Sequence, residues 1–109
     1  MLYNKLVRDK IPQIIIKAGK KPVTRILSDD EFSLYLEMKL EEEVKEYRES
    51  KSPEELADIL EVIVTLAKTQ GVDFTNLLAL QAEKRFRNGG FNDKILLIET
   101  EAQDESYQS

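Results

Sequence analysis

Four acidic residues in the middle of the chain recur at a spacing that suits metal chemistry. Glu43 and Glu46 lie three residues apart in KLEEEVKEY, and Glu55 and Asp58 repeat that spacing in EELADILEVI. Residues three apart lie on one side of an α-helix, so each pair places two carboxylates side by side. Carboxylate oxygens are ligands that Mg²⁺ and Mn²⁺ prefer. The pattern therefore indicates a divalent-cation site between two helices.

The composition excludes several other kinds of chemistry. The 109 residues include no cysteine and no histidine, which removes disulfides, thiol nucleophiles, histidine acid–base catalysis and the usual zinc sites. A net charge of −5 and an aromatic content of 7% argue against a nucleic-acid partner, which needs a basic face or a stacking surface. No apolar run reaches the ~18 residues of a membrane span, and the start does not resemble a signal peptide. We expect a cytoplasmic protein with no membrane partner.

Hydrophobic periodicity and capping residues predict an all-α fold, an antiparallel helix bundle. A short helix is expected with Asp9 as its N-cap, Pro12 in its first turn and Gly19 at its end. Three longer helices are expected from Ser28 to about Ser50, from Ser52 to Gly71, and from Asp73 or Thr75 to Gly89 and Gly90.

Two short segments suggest that the helices are accompanied by a small amount of β structure. KPVTRIL and DKILLIE have β-strand character, and we expect them to form at most a minor two-stranded β patch. The domain is expected to cover residues 1–98, and the acidic tail over residues 99–109 is expected to be disordered.

A helical wheel places acids within the apolar faces. In the first long helix Glu43 falls inside the apolar arc and Glu46 just outside its edge; in the next helix Glu55 falls inside and Asp58 beyond one edge. A buried carboxylate costs several kcal/mol unless it is paired, protonated or bound to a cation. Carboxylates that converge between the two helices repel one another, and a divalent cation bound between them would replace this repulsion with attraction. The alternative is structural: Glu55 follows Ser52 at capping-box spacing, and Glu42 and Glu46 are solvated acids near a helix rim.

The segments around these acids resemble a known family. KLEEEVKEY followed by EELADILEVI is similar to the ExxE…ExxD motif of the all-α nucleoside triphosphate pyrophosphohydrolases. YNKLVRDKIP, KKPVTRILSDDEF and KRFRNGGF resemble its MazG-like branch, often called phosphoribosyl-ATP pyrophosphohydrolase-like. The resemblance extends to about Glu99. The connection between the two acid pairs, residues 47–54, is short for this family and leaves little room for a segment that would cap a substrate.

The resemblance implies Mg²⁺-dependent hydrolysis of a nucleotide between its α- and β-phosphates, which releases a monophosphate and pyrophosphate. It also implies a bundle completed by oligomerisation. Glu43 and Glu46 match ExxE, Glu55 and Asp58 match ExxD, and Glu42 matches an additional acid that commonly precedes the first pair. Either Glu43 or Glu46 is then the residue that accepts a proton from water, since no histidine is present.

Positive charge is also needed for the phosphates. The residues that we expect to supply it are Lys5, Arg8 and Lys10 near the start, and Lys84 and Arg87 before the double glycine. Each has a structural alternative, because basic residues near helix ends usually favour the helix dipole or simply meet solvent. The substrate within the nucleotide class is open, and clearance of non-standard nucleotides is one role that fits.

A second hypothesis is that the chain is a non-catalytic helical module that oligomerises and binds a nucleotide or a protein. Both readings predict a homodimer or a larger homo-oligomer. The reason is that the second long helix is apolar over more than half of its circumference, which one packing layer within the chain would not cover.

Overall fold

The computed structural model describes residues 2–103, which form four α-helices. They are α1 (Ile11–Lys17), α2 (Asp29–Ser50), α3 (Pro53–Thr69) and α4 (Phe74–Asn88). The chain divides into two compact units, Met1–Leu78 and Ala79–Ser109, and the boundary falls within α4. The all-α prediction is confirmed. The six C-terminal residues of the predicted disordered tail, 104–109, lie outside the described residues.

The predicted β patch is wrong for the part of the chain that is described. Residues 21–27 and 93–99 contain no strand. Val23 and Ile26 are almost fully exposed, and in the second unit so are Ile95 and Ile98. A strand needs a partner for its backbone N–H and C=O groups, so β-branched composition alone does not form one.

Local capping signals account for the start of α2. Ser28 and Glu31 form a complete capping box, in which the Ser28 hydroxyl accepts a hydrogen bond from the Glu31 amide and the Glu31 carboxylate accepts one from the Ser28 amide. Arg25 adds two hydrogen bonds to the same carboxylate, at 3.1 and 2.7 Å. These contacts hold the pKa of Glu31 down at about 2, with Arg25 as the main cause.

The other helix boundaries also follow mostly local signals. Pro53 opens α3 as predicted, and Gly71 follows its end with a φ of 77° that suits glycine. The Asp73 carboxylate accepts a hydrogen bond from the Asn76 amide at the start of α4. Asp9 is not the cap of α1, however. The N-cap is Lys10, because a turn over residues 8–11 delays the helix and leaves Asp9 inside that turn.

The α2–α3 hairpin forms the core of the first unit. Lys51 ends α2 in the left-handed conformation, with a φ of 57°, and only Lys51 and Ser52 separate the two helices. Because the connection is this short and the helices pack together, they run antiparallel. Among the described residues, the buried apolar side chains are Leu36 of α2 and Val62 and Ala67 of α3. The hairpin therefore sets which faces of α2 and α3 meet.

Candidate metal centre

Glu43 is the acid around which the site is built. It lies on the face of α2 that meets α3, and it is only 6% exposed. Leu36, two turns earlier on α2, is buried on the same side. The burial of Glu43 follows from its position within the apolar arc, as the helical wheel predicts. A carboxylate placed there must find a compensating charge or a proton.

The hairpin brings the second acid pair against Glu43. One carboxylate oxygen each from Glu43, Glu55 and Asp58 lie within 4.8 Å of one another, and Glu42, Glu43 and Glu46 form a second group within the same limit. Glu43 belongs to both groups. All five acids predicted as ligands are thus part of one continuous cluster, to which α2 contributes three carboxylates and α3 contributes two.

Two oxygens in this cluster are buried without a hydrogen-bond partner. They are Oε2 of Glu43 and Oε2 of Glu55. Glu55 does not act as a capping-box residue, because the Ser52 amide donates to the Ser50 hydroxyl instead. An unpartnered buried oxygen on an acid is costly, and a cation is the usual remedy. This all-oxygen donor set fits a hard divalent cation such as Mg²⁺ or Mn²⁺.

Like charges and burial shift the titration of Glu55. Burial raises the pKa of the Glu55 carboxyl to about 7, and the adjacent Glu43 and the charges of Glu46 and Asp58 act in the same direction. A carboxyl with such a pKa changes its protonation near neutral pH. The raised pKa and the two orphan oxygens therefore have the same origin, which is negative charge concentrated away from solvent.

Three basic side chains surround the acids. The Arg8 guanidinium donates to Asp58 Oδ1 at 2.6 Å, and Lys5 Nζ lies 3.4 Å from Glu42 Oε1. Lys39 Nζ lies 3.2 Å from Glu42 Oε2 and 3.3 Å from Glu43 Oε1. The predicted phosphate ligands Lys5 and Arg8 are thus next to the acid cluster, where their charges offset part of its negative charge.

Lys39 is the residue that sequence reasoning missed. Its side chain is only 18% exposed. Burial opposes its charge, but the hydrogen bonds and charges of Glu42 and Glu43 outweigh burial and raise the pKa of Lys39. Burial likewise acts to raise the pKa of Glu42, yet Lys39 and Lys5 together lower it. The signal was present in the sequence, since Lys39 precedes Glu42 by three residues and Glu43 by four.

The remaining predicted phosphate ligands are exposed side chains. Lys10 is exposed at the N-cap of α1. Lys84 and Arg87 are exposed on the part of α4 that belongs to the second unit, where Arg87 Nε lies 3.9 Å from Glu83 Oε1. Their role in substrate binding stays a prediction.

A shallow cleft adjoins the acids. Its lining includes Glu42 of the cluster and the two lysines that contact Glu42, Lys5 and Lys39. Its other lining residues combine one amide with apolar and aromatic groups, namely Asn4, Leu6, Tyr35 and Met38. The cleft therefore offers two ammonium groups and an apolar surface beside the carboxylates.

Comparison with known proteins adds one likeness. An uncharacterized protein of Mycolicibacterium smegmatis is 56% identical over 43 residues, which make up 39% of this chain and 44% of that relative. The chain thus matches less than half of the relative's length. No family model matches the chain, and no solved structure matches it. None of the helices in residues 2–103 has the length and apolar character needed to cross a membrane.

Proposed function

We propose that the chain is a Mg²⁺-dependent nucleoside triphosphate pyrophosphohydrolase. The observation that supports this most is the convergence of Glu43, Glu55 and Asp58 from two helices, with two buried oxygens that lack partners. The resemblance of the same residues to the ExxE…ExxD motif supplies the reaction class. The products would be a nucleoside monophosphate and pyrophosphate, and removal of non-standard nucleotides from the cytoplasm is a role that fits.

The acids divide into two roles in this proposal. Glu43, Glu55 and Asp58 would hold the ion, and Glu42, which is grouped with Glu43 and Glu46, is a candidate for a further ligand. Bound Mg²⁺ supplies Lewis acidity, which polarises phosphate oxygens and makes nearby water more acidic. Glu46 is the better candidate for accepting the proton of the attacking water. It is half-buried rather than buried, and it forms no salt bridge with the described residues, whereas Glu43 belongs to both groups of acids and is assigned to the ion.

The basic residues would hold the phosphates. Arg8 can donate two parallel hydrogen bonds to a phosphate, and Lys5 and Lys39 can act as point charges on the wall of the cleft. The cleft brings Lys5 and Lys39 together beside Glu42, so a phosphate group bound there would meet both ammonium groups. Lys10, Lys84 and Arg87 remain candidates for further phosphate contacts.

We also propose that the enzyme is a homodimer or a larger homo-oligomer. Leu56, Leu60 and Ile63 are 49%, 51% and 38% exposed. They are spaced i, i+4 and i+7 on α3, so they form one apolar stripe. A second copy of the chain would cover this stripe and enlarge a core that is small in the described residues.

Pyrophosphate release tests the catalytic proposal directly. Wild-type protein is incubated with a panel of nucleoside triphosphates, with Mg²⁺ and with EDTA, beside Glu43→Gln. We expect Mg²⁺-dependent release from at least one nucleotide and a loss of at least about 100-fold in the variant. Glu49→Gln is the matched control, because Glu49 is an exposed acid on the same helix, and it should behave as wild type.

The non-catalytic module makes a different set of predictions. It releases no pyrophosphate from any nucleotide, and Mg²⁺ does not change its Tm. A metal site predicts a rise in stability of about 2.7 kcal/mol when Mg²⁺ is present at 100 times its Kd. Absence of both effects would leave the binding module as the better description.

A further inference from the structure

Lys39 occupies the position of a built-in counter-ion in the acid cluster. Its Nζ lies within 3.3 Å of carboxylate oxygens from both Glu42 and Glu43, and most of its side chain is shielded from solvent. Neither contact is a typical exposed surface pair, because the shared Lys39 side chain is 18% exposed and that of Glu43 is 7% exposed. These ion pairs are therefore screened by water much less than exposed ones.

The neutralisation that Lys39 provides is incomplete. It contacts Oε1 of Glu43, whereas Oε2 of the same carboxylate is buried without a partner, as is Oε2 of Glu55. An ammonium group carries one charge, and Lys39 forms no hydrogen bond with either of these two oxygens. A divalent cation carries twice that charge, and it would be attracted to the oxygens that Lys39 leaves unpaired.

A cation at the cluster and the Lys39 ammonium would compete for the same carboxylates. They repel each other, and each Glu42 or Glu43 oxygen that ligates the ion is lost to the lysine. We propose that Lys39 stabilises the acid cluster in the metal-free protein and is displaced from Glu42 and Glu43 by Mg²⁺, so that this lysine weakens and thereby sets the metal affinity. This inference rests on the metal site of the proposed function. Lys39 also lines the cleft, so the displaced ammonium is available to an anionic substrate there.

Calorimetric titration with Mg²⁺ alone tests the competition without any need for activity. Wild type is compared with Lys39→Met, which is unbranched and one atom shorter than lysine and removes the charge. We expect Mg²⁺ to bind Lys39→Met at least about fivefold more tightly than wild type. Lys45→Met is the matched control, because Lys45 is exposed on the same helix and forms no salt bridge with the described residues, and its Mg²⁺ affinity should equal that of wild type.

Thermal unfolding supplies a second readout on the same variants. Without metal, Lys39→Met should have a lower Tm than wild type, because Glu42 and Glu43 lose their counter-ion. Saturating Mg²⁺ should close most of that gap. A lysine that only supports the fold would leave the gap unchanged by metal. If Lys39→Met does not fold, Lys39→Gln is measured in the same way, with the same expectation.

The outcomes separate this inference from the proposed function. Equal or weaker Mg²⁺ binding by Lys39→Met would overturn the role of Lys39 and leave the metal site in place. Absence of Mg²⁺ binding to wild type would overturn both. Tighter binding in the variant, together with no pyrophosphate release by wild type, would support the competition and overturn the catalytic proposal.

Discussion

At the scale of single residues, the chain concentrates its chemistry on a few acids that would destabilise an ordinary helix pair. Glu43 is buried where an apolar side chain would pack, and Glu55 faces it from the next helix. Such an arrangement costs free energy in the metal-free state, because desolvation and like charge both act against ionisation. A site of this kind favours a bound cation. Acids that destabilise the metal-free protein in this way are better explained by a functional role than by a role in stability.

Glu55→Gln should change the pH dependence of stability. The folded-state pKa of Glu55 is about 7, above the ordinary value of 4.5, so its contribution is fully present below pH 4.5 and is lost as the pH rises through 7. Removal of the charge should therefore raise the metal-free Tm at pH 8 relative to wild type, with a smaller gain at pH 5. Scanning calorimetry in EDTA at both pH values measures this.

Glu54→Gln is the control for that measurement, because Glu54 is an exposed acid in the same turn of α3. The Tm difference between Glu54→Gln and wild type should be the same at pH 5 and pH 8. If the Tm difference between Glu55→Gln and wild type is the same at pH 5 and pH 8, the raised pKa of Glu55 is contradicted. With Mg²⁺ present, Glu55→Gln should also gain less stability than wild type does, because one ligand charge is gone.

At the scale of secondary-structure elements, α2 is stabilised at its start by contacts separate from the acid cluster. Ser28 and Glu31 accept hydrogen bonds from backbone N–H groups at the start of the helix, and Glu31 places negative charge near the positive end of the helix dipole. The Arg25 guanidinium donates to the Glu31 carboxylate and holds it in place. All three residues lie within seven positions of one another. A helix that must hold Glu42, Glu43 and Glu46 in register gains from a start that local contacts define.

The capping group should make α2 sensitive to acid. The pKa of Glu31 is lowered to about 2, so its stabilisation is present above the ordinary value of 4.5 and is lost as the pH falls toward 2. In Glu31→Gln this loss should be absent, and the gap in the free energy of unfolding between wild type and variant should narrow from pH 5 to pH 3. Urea unfolding at the two pH values, followed by circular dichroism, measures the gap.

Glu37→Gln is suitable for comparison, because Glu37 is exposed further along α2 and is outside the capping box. Its gap to wild type should not narrow in the same way. A constant gap for Glu31→Gln would mean that the Arg25 pair does not persist in solution.

At the scale of the whole molecule, apolar surface remains that the chain does not cover in the residues described. The stripe of Leu56, Leu60 and Ile63 on α3 is the clearest case in the first unit. Contiguous exposed apolar patches often mark surfaces at which a protein associates with a partner. The proposed oligomer would place such a stripe on the back of the helix that carries Glu55 and Asp58, which would couple assembly to the order of the site.

Leu60→Lys should shift the protein toward the monomer. A charged side chain at the centre of the stripe would be buried against the second copy without a partner, at a cost of several kcal/mol. Sedimentation velocity over a range of concentrations measures the change. Glu61→Lys adds a lysine to the neighbouring, exposed position of α3 and should leave the association state as in wild type. A monomeric wild type would contradict the oligomer proposal.

The amino-acid sequence by itself determined the helices and most of their boundaries. The Ser28–Glu31 box, Pro53 and Gly71 act over a few residues, so their effect is visible without knowledge of the fold. The spacing of the two acid pairs and the burial of Glu43 also follow from helical periodicity alone. The strand prediction failed for the opposite reason, because a strand depends on a partner that no local signal guarantees.

Only the tertiary structure decided which acids and cations meet. The contact of Arg8 with Asp58 joins residues 50 positions apart, and that of Lys5 with Glu42 joins residues 37 positions apart. The loss of partners at Glu43 Oε2 and Glu55 Oε2 likewise appears only when α3 packs on α2. The unpartnered oxygens depend on which faces of α2 and α3 meet, and the contacts of Lys5 and Arg8 depend on where the segment before α1 lies against the hairpin. Contacts between residues so far apart leave no periodic pattern in the sequence.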